Sequence, residues 1–232
     1  MKTKTVILFF FITSIVLAQK PRVENMPKFD RRPYHFGFCF GFNKYDFTVR
    51  TYPDFFKNDS MAILETTPTW GFNLGILGNL RIGNHFDLRL TPTLTFGDRN
   101  LDYTFLKGDT IKIKKSIKVE SSILEFPLSL KYKSARVNNF RAYVLGGAKY
   151  SIDLASQAKK KTFDKDIVKI KKNNISFELG FGLDMYFEYF KLSPEIKFSV
   201  GIPDLLVREN TVYTNSIRNL TSKVLFLTFY FE

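Results

Sequence analysis

A single cysteine in 232 residues leaves no partner for an intrachain disulfide and too few thiolates for any Cys-based zinc site. Two histidines leave little for metal or acid–base chemistry. One tryptophan stands beside 26 phenylalanines and 11 tyrosines, so Phe carries the aromatic load. A mean hydropathy of −0.12 with 25% charged residues excludes a helical membrane bundle, while 16% aromatic residues exclude simple disorder. The net charge of +13 invites an anionic partner or surface, and its distribution has to say which.

The chain begins with Lys2 and Lys4, followed by mostly apolar sequence from Val6 to Leu17. That run is too short for a spanning helix, which needs roughly twenty residues. Small residues at Val16 and Ala18 predict a signal peptide over 1–18, cut before Gln19. No cysteine follows, so a lipoprotein signal is excluded. A periplasmic linker is expected over 19–33 and the folded domain over 34–232. Export removes nucleic acid from the expected partners.

From Tyr34 the sequence alternates. Phe36, Phe38, Phe40 and Phe42 share one face; Gly37, Cys39, Gly41 and Asn43 share the other. Period two is a strand signal. The same pattern recurs from Trp70, from Phe86 and from Leu124. It returns from Ala142, Phe177 and Leu192, and closes with LFLTFYFE. Each segment is long enough for a tilted membrane strand, which needs about nine to eleven residues.

A soluble sandwich or lipocalin-like barrel would alternate too, and three features favour the membrane form. Long connections (51–67, 98–118, 155–172, 203–221) alternate with short ones at Gly83-Asn84, 134–138 and Tyr189-Phe190. The last strand ends on aromatic residues, although Glu232 follows Phe231. The polar faces carry Gly, Ser, Thr and paired charges rather than a solvated Lys/Glu coat. The expected fold is therefore an all-β, eight-stranded antiparallel up-and-down transmembrane β-barrel, with both termini and the short turns periplasmic.

Eight strands leave an interior that side chains can fill. The polar faces set Asp87, Glu125, Asp153, Glu178, Asp184 and Glu195 against Arg89, Lys131, Arg141, Lys149 and Lys197. Nearly balanced charge predicts a plug of ion pairs rather than a pore. The excess positive charge lies in the connections: seven Lys against two Asp over 155–172, including Lys159, Lys160, Lys161 and Lys165. Such loops suit lipopolysaccharide phosphates or an acidic protein, or are simply solvated. The 98–118 segment keeps alternating through Tyr103 and Phe105 and returns through Ile111 and Ile113, predicting a tall ribbon whose exposed edge could dock a partner.

No nucleophile–base arrangement, phosphate loop or metal spacing is present, so no enzyme and no cofactor are expected. His35 and His85 each open a strand at the expected periplasmic edge, and Cys39 is expected as an inert packed thiol.

The strings ILEFPLSLKY (123–132), YVLGGAKYSIDL (143–154) and TPTLTFGDRNLDYTF (91–105) resemble the outer-membrane-protein β-barrel family of Bacteroidota. RRPYHFGFCFGFNKYDF (31–47), KLSPEIKFSVGIPDLL (191–206) and LFLTFYFE are similar to its PorT branch, also called SprT. That resemblance implies an assembly or docking role in type IX secretion and gliding motility, with other secretion-machinery proteins as partners and no small-molecule substrate. The competing expectation is a general envelope barrel that binds lipopolysaccharide or an adhesive ligand through its basic loops.

Overall fold

The computed structural model describes residues 23–52, 61–107, 111–156, 168–208 and 212–232. The expected signal peptide and residues 19–22 of the expected linker lie outside the described residues.

Among the described residues nine strand segments follow one another: β1 (Tyr34–Thr51), β2 (Met61–Arg81), β3 (Phe86–Leu90), β4 (Thr93–Lys107), β5 (Ile111–Lys133), β6 (Phe140–Asp153), β7 (Asn173–Tyr186), β8 (Lys191–Gly201) and β9 (Ile217–Phe231). Every pairing is antiparallel, and β9 pairs with β1, which closes the ring. β3 and β4 both lie between β2 and β5, so they form one line of the wall. The sequence reads Phe86 to Phe96 as one strand; Pro92 splits it. Proline has no N–H for the ladder, and the chain steps over it before resuming. The wall therefore has the expected eight spans in nine segments.

The two faces separate as the alternation predicts. Phe36, Trp70, Ile76, Phe177 and Leu179 point outward and are largely exposed. Asn43, Arg89, Glu125, Lys131, Glu178 and Asp184 point inward and are buried. On the outside, cross-strand rings stack: Phe38 on Phe231 at 5.0 Å and Phe72 on Phe96 at 4.9 Å between centroids. On the inside, several positions are glycine because the wall leaves no room for a Cβ. At Gly37, Gly41 and Gly71 it would strike a carbonyl oxygen of the adjacent strand.

The spans are unequal. β8 has 11 residues and β5 has 23. At about 3.4 Å per residue and a tilt near 40°, β5 rises about 60 Å, against an apolar band about 25 Å tall. β1, β2, β4, β5 and β9 continue past the band at one end, whereas β6, β7 and β8 stop near it. We call this the loop end; the other, where β1 begins and β9 finishes, is the terminal end.

Candidate functional site

Three layers fill the barrel from the terminal end upward. The lowest is residues 23–33, which fold over the mouth. Phe29 is buried and stacks on His35 at 4.2 Å, with the Lys191 ammonium 4.9 Å from its ring centroid. Asp30 accepts from Arg141 Nη1 and Nη2 at 2.9 and 3.0 Å and from the Tyr186 hydroxyl at 2.8 Å. Burial alone would raise the Asp30 pKa; the Tyr186 hydroxyl, Arg141 and Arg136 together outweigh it and hold the carboxyl below the ordinary aspartate range. This contact is thus fully formed above that range and weakens only as pH falls through the lowered value.

The middle layer is an ion-pair network with Glu195 as its hub. Arg89 Nη1 and the Tyr143 hydroxyl both donate to Oε2 at 2.9 Å, and the Tyr230 hydroxyl donates to Oε1 at 3.0 Å. Lys197 lies 4.0 Å from Glu195 and 3.2 Å from Glu178. Lys149 continues the chain, 3.0 Å from Glu178 and 2.8 Å from Glu125. Around it sit Lys131 with Asp184 at 2.8 Å, Lys133 with Asp87 at 2.6 Å and Lys191 with Glu232 at 2.7 Å. Arg99 meets Asp153 at 3.3 Å near the top. Acids and bases alternate, so each buried charge has a counter-charge, the condition for tolerating it away from water.

The top layer is apolar. Leu101, Tyr103 and Ile117 of the tall wall face inward onto Val168, Ile170, Leu205 and Leu206 of the connections. A short bridge between Ile170 and Leu206 holds those connections together, and Leu205 N donates to Leu220 O at 2.8 Å. Between cap and charges lies a cavity of about 20 Å³ lined by Tyr45, Arg99, Glu125, Lys149 and Ser151. That is room for about one water molecule.

The structure corrects part of the ribbon reading. Tyr103, expected as a partner contact, is wholly buried in the cap. Apolar residues persist above the band because they enclose a second core, so their presence does not mark an exposed docking face. Phe105, Ile111 and Ile113 lie in β4 and β5, with side chains outside the described residues. Lys159, Lys160, Lys161 and Lys165 also lie outside the described residues.

The expected lumen charges do meet, with one reassignment: Arg141 pairs with Asp30 of the folded-over segment rather than within the wall. Sequence reasoning missed Arg99, Lys133, Lys191 and Glu232. Each continues an inward alternation already read (Thr95–Gly97–Arg99, Lys131–Lys133, Lys191–Ser193, Tyr230–Glu232), so the signal was present where the segments had been cut short. Cys39 is buried and free as expected.

With a strap across the mouth, a neutralised interior and an apolar cap, planar-bilayer recordings are expected to show no steady current at the scale of a general porin. Such a current would refute the sealed lumen.

An antiparallel ring with an apolar aromatic exterior and a polar, ion-paired interior defines a transmembrane-type β-barrel. The chain belongs to the outer membrane protein beta-barrel domain family, whose model matches residues 17–207. Its fold is similar to that of the outer membrane protein OprG from Pseudomonas aeruginosa: 16% identity, TM-score 0.45, covering 85% of this chain and 95% of that one. It is also similar to Neisserial surface protein A, at 11% identity and TM-score 0.43, covering 86% and 98%. A third similar structure is Ail of Yersinia pestis, at 11% identity and TM-score 0.35, covering 86% and 98%. No curated protein matches the sequence. Among the described residues no helix is long and apolar enough to cross a membrane.

Proposed function

We propose that this outer-membrane barrel is not an enzyme and acts as an assembly or docking component of the type IX secretion and gliding machinery. The observation that carries the reading is the filled interior: a barrel sealed by a strap across its mouth, paired charges and an apolar cap works through its surfaces. The PorT-like strings at 31–47 and 191–206 supply the machinery. In this reading both termini face the periplasm and the tall wall stands outside the cell.

The docking surface is the outward face of that wall. β5 rises past its last pair with β6, Ile123–Asp153, and carries Lys114, Ser116 and Lys118 exposed on its flank. Lys118 meets Asp98 across β4 at 3.0 Å in an exposed pair. Such a surface suits an acidic protein partner. Deleting the ribbon would also remove Tyr103 and Ile117 from the cap, so charge reversal is the cleaner test. Lys114→Glu with Lys118→Glu is expected to lower secretion of C-terminally tagged cargo by about tenfold or more, the equivalent of about 1.4 kcal/mol of docking energy. Normal secretion with the variant barrel at wild-type level would remove this face from the mechanism.

One observation favours the second reading, an envelope barrel that engages lipopolysaccharide. At the upper edge of the apolar band Lys44 lies 5.7 Å from the Trp70 ring centroid and Lys223 5.7 Å from that of Phe198. Aromatic and basic side chains together mark headgroup depth, where lipid phosphates lie. Stabilisation of the barrel by lipopolysaccharide in a strain that secretes normally with the double variant would favour this reading over the first.

A further inference from the structure

The terminal end is closed by residues that are not part of the wall. Residues 23–33 cross the mouth and enter β1 through Pro33, whose carbonyl accepts from Arg81 N at 2.9 Å. The segment sorts its side chains. Phe29 and Asp30 face the barrel, whereas Lys28, Arg31 and Arg32 face solvent.

The receiving surface is built by the barrel alone. Arg136 from the β5–β6 turn, Arg141 from β6 and the Tyr186 hydroxyl from β7 converge on one carboxylate, at 3.4, 2.9 and 2.8 Å. His35 and Tyr186 wall the space that takes the Phe29 ring, with centroids at 4.2 and 6.1 Å. Asn139 completes the seat: its Oδ1 accepts from Asn25 N at 2.8 Å.

We propose that this mouth is an acceptor site for a peptide that carries an aromatic residue directly before an aspartate, and that Phe29-Asp30 occupies the site in cis as a displaceable self-ligand. The proposal is independent of the secretion reading.

Two further features separate this contact from the lumen pairs. The Asp30 side chain keeps 25% of its exposure, against 2% and 0% for Arg89 and Glu195, so water can take its place when it leaves. Opening a lumen pair would instead strand a buried charge. The strap also bends at Met26, whose φ of 50° lies in the left-handed region that disfavours a non-glycine residue. Its path is therefore held by the contacts it makes rather than by local preference. A peptide offering the same ring and carboxylate in the same order would satisfy the same donors without that bend.

The test uses the full-length protein in detergent and a labelled synthetic peptide of residues 23–33. A tethered ligand competes at an effective concentration on the order of millimolar, so the wild-type mouth should bind the peptide at least about tenfold more weakly than a Phe29→Ala/Asp30→Asn variant. A peptide carrying Asp30→Asn should lose that binding. Equal affinity for wild type and variant, or no binding to a variant that keeps heat-modifiable gel migration, would overturn the proposal. A second measurement does not depend on that variant's folding. With a spin label on Glu24→Cys, in the exposed part of the strap, excess peptide should displace the strap and mobilise the label, whereas the Asp30→Asn peptide should not. A label unmoved by excess peptide would place the peptide elsewhere and reject the site.

Discussion

Glu195→Ala is expected to lower the unfolding free energy of the barrel by about 3–5 kcal/mol, the usual consequence of removing one member of a buried ion pair. The size follows from what converges there. Arg89, Tyr143 and Tyr230 all donate to this carboxylate within 3.0 Å, and Lys197 stands at 4.0 Å. Without it, the nearest carboxylate left to the Arg89 guanidinium among the described residues is Glu232, at 3.9 Å, and the side chain is 2% exposed. Urea unfolding in lipid vesicles, followed by the fluorescence of Trp70, measures the loss. Glu195→Gln should recover part of it, since the amide keeps the shape and one acceptor but not the charge. Coupled replacement of Arg89 and Glu195 by Met and Leu should destabilise less than Glu195→Ala alone, because no charge is then stranded. A Glu195→Ala loss under 1 kcal/mol would mean that water enters the middle layer freely and that the lumen is not dry.

The second large effect is steric. Gly71→Ala is expected to destabilise by about 3 kcal/mol, the upper end of ordinary overpacking. A Cβ on Gly71 would sit on the Phe96 carbonyl oxygen and on Asn43 Oδ1, well inside the 3.0 Å that real contacts respect. The carbonyl belongs to the neighbouring strand and cannot rotate away, so β2 and β4 must part. Gly83→Ala supplies the contrast. Nothing lies within 4 Å of a Cβ at that turn, and the change should stay within about 0.5 kcal/mol. Heat-modifiable migration and urea midpoints of the two variants, measured side by side, decide between a packing account and a general intolerance of glycine replacement.

These two sites show what was legible in the sequence. Alternation gave the inward position of Glu195 and Gly71, because a side-chain period of two survives whatever surrounds the strand. It also gave the near-balance of the lumen. Alternation cannot give the neighbour across the barrel: Arg89 and Glu195 are 106 residues apart, and their meeting depends on the curvature of the wall. Nor does it tell a second apolar core from an exposed ribbon, since Leu101 and Tyr103 read alike in both settings. The difference is made by Ile170 and Leu205, which arrive from irregular chain with no periodicity to announce them. The sequence predicts a linker over residues 19–33, with no signal for a strap. What matters there is the single Asp30, whose partners lie more than 100 residues away.

The same distances bear on how the molecule is made. The middle layer joins β3 to β8, β1 to β5 and β5 to β7, through contacts spanning 106, 80 and 53 residues. Neighbouring strands neutralise part of the layer, as Lys149 of β6 does with Glu125 of β5 and Glu178 of β7, but Arg89 on β3 meets Glu195 only once β8 is in place. High contact order of this kind slows folding, and a partial ring that lacks β8 is unfavourable because it leaves Arg89 without Glu195. The barrel should therefore form in a single concerted step after β9 has been delivered, and a chain shortened by its last hairpin should populate no stable fragment.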